Sequence, residues 1–358
     1  MRRLDPWLLL AVAGIAVCAY LAQNSTARAL ATPGFANRQI IWLAAGFVLL
    51  ILFALADYRV LARISPLFYV VTLVVLTTLF VVAPARAGAQ RWLTLGPYTV
   101  QPSEFARVVT ILAVAALAGE HQQSRLDLKT AVRLAFVTGV PALLVMLQPD
   151  LGTALTLGAI LVAALWLGGL PWKTWVLLVA AGAVMVAAAW MWVLKPYQKE
   201  RVLTFADPDR AVYTSGYQQR QSKIAVGSGG VTGKGLRSGT QSQLRFLPAQ
   251  YTDFIFAVWA EETGFLGASL LLLAYILMVF RIFVIALSAR DRVGTTFAGC
   301  FGFVLAVEIL INVGMVTGVA PTTGITLPLL SYGGSSVFAT CISLGIVQSI
   351  WRLRYANV

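Results

Sequence analysis

Apolar residues along this chain gather into unbroken runs of roughly 17 to 25, instead of recurring at the spacing of a half-buried helix or strand. A helix of that length spans about 30 Å of hydrocarbon. The pattern predicts ten such spans, at about 7–23, 39–56, 67–83, 103–119, 132–148, 152–169, 174–193, 253–283, 295–318 and 336–350. All connections are short except the polar stretch 195–252, between the seventh and eighth spans. One apolar stretch resists the helical reading: "GVAPTTGITLPLLSYGGSSV" (318–337) holds two prolines and four glycines. Irregular backbone at membrane depth is tolerated only where it is buried in protein or lines a cavity, so a broken segment facing a cleft is expected there. The expected fold class is therefore all-α: a polytopic integral membrane protein. Residues 1–358 form a single transmembrane domain, and 195–252 its one long extracellular loop.

Composition agrees. Apolar residues make up 59% and charged residues 11%, with a mean hydropathy of +0.81; soluble chains carry roughly 25% charged residues. The net charge of +13 would suggest nucleic acid in a soluble protein. In a membrane protein Lys and Arg instead set orientation. With both termini in the cytoplasm, thirteen of them fall in inner links and four in short outer loops. That asymmetry gives N-in/C-in and puts the long loop outside. The loop carries nine basic residues, Lys234 and Arg237 among them, against Glu200, Asp207 and Asp209. A net positive outer loop suits an anionic partner such as a lipid phosphate or pyrophosphate; an ordinary solvated loop is the alternative. Cys18, Cys300 and Cys341 stand singly in apolar runs, without metal spacing or a disulfide pattern. His121 is the sole histidine, which argues against histidine-based metal sites and triads. The first apolar run leads into further spans and reads as an anchor, not a cleavable signal.

An ionisable group inside a span costs several kcal/mol, so each one is a functional candidate. Glu104 and Arg107 in "QPSEFARVV" are three apart on one helical face, spaced to pair as a structural or substrate-contacting couple. Asp150 in "QPDLGT" sits in a tight turn, where it could cap the next helix. Asp253 in "LPAQYTDFIFAVWAEETGFLG" stands where the basic loop re-enters the membrane, as a helix cap or a reactive group. Glu261 follows eight residues on, ~12 Å along the axis and about 80° around it. Glu262 points to nearly the opposite face from Asp253, so the three acids are not one cluster. Glu308, close in register to Asn312, reads as a structural polar contact. The glycines of "GSGGVTGKG" (227–235) do not make a phosphate loop: Ser228 and Gly235 stand where that pattern needs Gly and Ser or Thr.

These features suit transfer chemistry on a lipid-linked, phosphate-bearing substrate. An interfacial carboxylate can act as general base on a sugar hydroxyl. Basic residues, or a divalent cation such as Mg or Mn, would stabilise the departing pyrophosphate. A carrier that flips such a lipid fits the same features.

The motifs resemble the SEDS family (shape, elongation, division and sporulation proteins) over essentially the whole chain. The resemblance rests on "GAQRWLTLG" (88–96), "QPSE" (101–104), "QPDLGT" (148–153), "YQQRQSKIAVGSGGVTGKG" (217–235), "LPAQYTDFIFAVWAEETGFLG" (247–267) and "PTTGITLPLLSYGGSS" (321–336). It implies ten spans in the bacterial cytoplasmic membrane and a peptidoglycan glycosyltransferase that polymerises lipid II outside it. It further implies inverting transfer with release of undecaprenyl pyrophosphate, and no organic cofactor. The partners implied are undecaprenyl-pyrophosphate-linked glycan, a class B penicillin-binding transpeptidase and the elongation machinery, not nucleic acid. A lipid II flippase and a non-catalytic scaffold are the alternatives. The family's essential acid falls on Asp253, Trp92 matches another position the family depends on, and Glu104 matches its intramembrane acid. Arg107 stands where many members have Lys. Asp150, Glu261 and Glu262 fall in family blocks without a derived role, and Arg91, Gln101 and Ser331 are taken with those blocks as supporting positions. Thr323 before Gly324, where the division branch typically has Lys, and a short N-terminal tail favour the elongation branch.

Overall fold

A computed structural model describes residues 4–30, 34–82, 91–96, 98–120, 126–192, 194, 199–200, 203–205 and 215–355. Residues 88–90 and His121, Lys195, Asp207 and Asp209 lie outside the described residues, as do Arg2, Arg3, Arg86 and Arg125 of the charge count. The chain runs α1 (Pro6–Ala29), α2 (Gly34–Leu55), α3 (Tyr58–Val82), a hairpin of β1 (Leu93–Leu95) and β2 (Tyr98–Val100), then α4 (Pro102–Glu120). It continues with α5 (Leu128–Leu147), α6 (Leu151–Leu167), α7 (Trp172–Trp192), α8 (Ser215–Ser228), α9 (Thr240–Gln243), α10 (Ile255–Leu287), α11 (Arg292–Thr317) and α12 (Gly334–Leu353). Among the described residues nine helices are long and apolar enough to cross a membrane, and α6 is a shorter apolar helix of 17 residues between two of them. Together they match the ten expected runs.

Large apolar side chains such as Leu270, Leu273 and Ile276 face outward, as hydrocarbon requires, while small residues let helices meet inside. Gly345 of α12 lies against the main chain of Leu50 in α2, and Gly46 of α2 against Val337 and Cys341.

Polar groups fasten one end of the bundle. Asp5 caps α1 by accepting from the Leu8 amide at 2.7 Å and forms an ion pair with Arg281 near the end of α10. Gln348 of α12 donates to the Asp5 carbonyl at 3.0 Å and accepts from its amide at 2.8 Å. Asp291 caps α11 and receives Tyr58 at 2.8 Å and Arg59 at 3.0 Å. The start of α1 is thereby joined to the last turns of α10 and α12, and the start of α3 to that of α11.

Helix α10 is broken at Gly264, where φ is 65° and ψ −164°. A break strands backbone groups that lipid cannot satisfy. The glycine-rich loop 229–235 supplies the missing partners. Lys234 and Gly235 amides donate to the Glu261 and Glu262 carbonyls at 3.1 and 3.0 Å. The Phe265 and Leu266 amides donate to the Gly230 and Val231 carbonyls at 2.9 and 3.1 Å. These glycines thus serve close backbone approach.

A Cβ at Gly264 would lie 2.6 Å from the Val231 carbonyl oxygen, in a left-handed conformation. Gly264→Ala should therefore lower the stability of the detergent-solubilised protein by about 1–3 kcal/mol or more, read as a lower thermal midpoint. An unchanged midpoint would show that the docked loop contributes nothing.

Candidate functional site

The helix starts at Pro102, Leu151 and Gly334, the turn before α10 and the last turns of α11 surround a polar cleft of about 250 Å³. Segment 318–333, which has no regular helix, forms one of its walls, as the irregular stretch in the sequence leads one to expect.

Asp253 lines this cleft and is half-buried. The N-cap of α10 falls on Phe254, one residue later, so the Asp253 carboxylate is not in the capping position. Three consecutive carbonyls fix its turn. The Tyr332 amide donates to Tyr251 O at 2.9 Å, Ser331 Oγ to Thr252 O at 2.7 Å and Asn312 Nδ2 to Asp253 O at 3.0 Å. Ser331 also accepts from the Leu327 amide at 2.8 Å. Gln23 of α1 reinforces the joint by donating to Tyr251 O and Leu330 O, both at 3.0 Å. Ala249 and Leu329 hold left-handed φ values of 50° and 66° on the two sides of the joint. Such conformations persist only when their surroundings over-determine them.

Deeper in the cleft lies Arg107, buried between two carboxylates. Its Nη2 forms an ion pair with Glu104 Oε2 at 3.0 Å. Its Nη1 contacts Glu308 of α11. The i, i+3 pair read from the sequence is present, and a second acid joins it. Glu308 is therefore a cleft residue and not a partner of Asn312, whose amide turns to Asp253 and Ile325. Helical register brings Glu308 and Asn312 onto one face; which helices meet that face is a matter of tertiary packing.

At the rim, Asp150 both caps α6, accepting from the Thr153 amide at 3.4 Å, and joins the cleft. It accepts from Gln101 Nε2 at 2.8 Å and pairs with Arg91 Nη1 at 3.4 Å. The β1–β2 hairpin holds Arg91, Trp92 and Gln101 over the opening, and the Gln101 amide donates to Ser335 Oγ at 3.0 Å. Arg91 keeps 36% of its side chain exposed.

Seven predicted positions thus meet in the cleft: Arg91, Trp92, Gln101, Glu104, Arg107, Asp150 and Asp253. The other five lie outside its lining. Lys234 pairs with buried Glu261 at 2.8 Å and donates to Ser228 and Thr240. Glu261 also accepts from the Gln241 and Ser242 amides, organising α9. Arg237 donates to Asn24 Oδ1 at 3.1 Å, and Glu262 accepts from Ser25. Ser331 acts on the Thr252 carbonyl as described. The sequence reading assigns Glu308 a structural polar role and does not place it in the cleft, and it does not point to the hydroxyl wall of Thr153, Thr156, Thr323 and Thr326. Thr323 and Thr326 lie in the irregular segment, whose proline and glycine content was the available signal.

A divalent cation would need several acids to converge. Among the described residues no group of three or more His, Cys, Asp or Glu side chains is placed to hold a metal ion. Glu104 and Glu308 are engaged by Arg107, and Asp150 by Arg91 and Gln101. The donor set does not fit a protein-only metal cage.

Comparison with known proteins places these features in context. The chain matches the FTSW_RODA_SPOVE family, described as cell cycle protein, over residues 4–356. The peptidoglycan glycosyltransferase MrdB of Escherichia coli strain K12 is 38% identical over 355 residues, 98% of this chain and 94% of its own. A solved chain from a study of structural coordination of polymerization and crosslinking by a peptidoglycan synthase complex aligns with a TM-score of 0.85 at 34% identity, covering 99% of both chains. The Thermus thermophilus Rod shape determining protein RodA aligns with a TM-score of 0.74 at 31% identity, covering 99% of this chain and 98% of that one.

Removing the guanidinium that two buried acids share should be costly. Arg107→Leu should destabilise the solubilised protein by about 3–5 kcal/mol. Arg107→Lys keeps the charge without the fork and should fall between it and wild type. Equal thermal midpoints for all three would refute the shared ion pair.

Proposed function

The chain belongs to the FtsW/RodA/SpoVE family of cell cycle proteins, and we propose that it is a peptidoglycan glycosyltransferase of the bacterial cytoplasmic membrane that polymerises lipid II during cell elongation. The observation that carries this reading is a carboxylate, Asp253, held by its main chain at the edge of a polar cleft. The charge asymmetry of the links puts the end carrying both termini in the cytoplasm. The cleft is at the other end and opens outward, where glycan strands are assembled.

Asp253 accepts the proton of the acceptor sugar hydroxyl as that oxygen attacks the donor's anomeric carbon. The new glycosidic bond forms, the bond to pyrophosphate breaks, and the anomeric centre inverts. A positioned general base contributes roughly 10²–10⁴-fold. Arg91, partly exposed at the rim and only loosely paired with Asp150, is placed to meet the pyrophosphate. Lys234 is less suited to that part, because it neutralises Glu261. Trp92 and the threonine hydroxyls offer a surface for the sugar. Arg107 keeps Glu104 and Glu308 compatible with the apolar surroundings and holds α4 against α11. The chain works with a class B penicillin-binding transpeptidase, which cross-links the strands it makes.

Two measurements check this reading. Purified protein with its transpeptidase partner should convert fluorescent lipid II into glycan ladders, and Asp253→Asn should reduce the rate by about 10²–10⁴-fold. Normal polymerisation by the variant would remove Asp253 from the mechanism. Scrambling of lipid II across vesicles without polymerisation by wild type would favour a flippase. Arg91→Gln should raise the KM for lipid II by roughly tenfold, the loss of one charge-assisted contact of about 1.5–3 kcal/mol partly offset at an exposed rim. Lys234→Met should instead lower the thermal midpoint.

A further inference from the structure

We infer that Asn312 is a positioning residue for the reaction, setting the place of Asp253 against the facing wall of the cleft; the inference rests on the proposed glycosyltransferase reading. Asn312 sits on α11, one helical turn beyond Glu308, and is completely buried. Its Nδ2 donates both hydrogens, one to Asp253 O at 3.0 Å and one to Ile325 O at 2.7 Å. The first carbonyl belongs to the turn that carries the base. The second belongs to the irregular segment that walls the cleft, and Ile325 itself is part of the lining.

Three features separate this amide from ordinary packing. Its orientation is forced, because both neighbours are carbonyl oxygens and neither could face Oδ1. That Oδ1 is buried without a hydrogen-bond partner among the described residues, so it is the donors that tie this side chain to the joint. Its anchor also differs from those of the Ser331 and Tyr332 bonds to the turn. Unlike Gln23, which reaches Tyr251 O, Asn312 holds the carbonyl of Asp253 itself. Ser331 and the Tyr332 amide belong to the same irregular wall, whereas Asn312 projects from a 26-residue helix that Arg107 ties to α4 through Glu308. The carbonyl of Asp253 is thus referenced directly to α11 through the Asn312 side chain. A displacement of about 1 Å at a reacting group costs on the order of 10²-fold in rate.

The experiment compares Asn312→Leu and Asn312→Ser with wild type, Asp253→Asn and Gln23→Leu. Rates are measured over a range of fluorescent lipid II concentrations on purified full-length protein with its partner. Gln23 is the control for the joint, since it bridges Tyr251 O and Leu330 O without touching Asp253. Both Asn312 variants should lose roughly 10- to 100-fold in kcat, with KM changed less than about twofold. Gln23→Leu should lose less. Combining Asn312→Ser with Asp253→Asn should cost no more than Asp253→Asn alone, because the two act on one group. Should Asn312→Leu fail to fold, Asn312→Ser carries the same comparison with a smaller packing change. Wild-type kcat in a folded Asn312 variant would overturn the inference. So would a change confined to KM, a loss additive with Asp253→Asn, or an equal loss in Gln23→Leu. A fully active Asp253→Asn protein would instead overturn the glycosyltransferase mechanism itself.

Discussion

Three neighbouring carbonyls, those of Tyr251, Thr252 and Asp253, each receive a hydrogen bond from a different group across the joint. The rest of the site depends on that joint. Helix α10 starts only at Ile255, and the turn before it has few local backbone bonds, from the Thr252 and Phe254 amides to the Ala249 carbonyl. Segment 318–333 is equally irregular. Each satisfies the other's backbone, which lets non-helical chain persist inside a membrane bundle. The same bonds hold Asp253, half-buried, in the lining of the cleft.

Burying charge in such a bundle is expensive unless each charge has a partner. Most of the partners found here come from distant parts of the chain. Arg107 of α4 is shared by Glu104 and by Glu308 of α11. Glu261 of α10 takes Lys234 from the long loop, and Asp5 at the chain start takes Arg281. Apart from Glu104–Arg107, which lies within α4, each of these pairs fastens separate elements, so charge and architecture are solved together. Arg91 differs in being partly exposed and loosely paired, which leaves it accessible to an anionic group arriving at the rim.

Much of this was legible from the sequence, and the boundary of legibility has a physical reason. Runs of apolar residues give the spans because hydrocarbon thickness sets one length scale. The Glu104–Arg107 couple is readable because i, i+3 neighbours share a helix face. Asp253 is readable as an acid at a membrane boundary, and 318–333 as a stretch with too much proline and glycine to be helix. The partnership of Glu308 with Arg107 is not readable, since it depends on which faces of α4 and α11 meet. The glycines of 227–235 lack the phosphate-loop pattern. Their work of completing the backbone of α10 at Gly264 needs a contact that no local pattern encodes. Lys234 shows the converse: a basic residue in a basic loop invites an anionic ligand, yet a buried glutamate of the chain itself takes it.

The central claim is that the cleft presents Asp253 to a sugar hydroxyl and Arg91 to the pyrophosphate of a lipid-linked substrate. A structure of the protein with a lipid II analogue bound tests it most directly. The account predicts a sugar hydroxyl within about 2.6–3.2 Å of the Asp253 carboxylate and phosphate oxygens beside Arg91. A headgroup bound elsewhere, with the Asp253 carboxylate out of reach of any sugar oxygen, would contradict it.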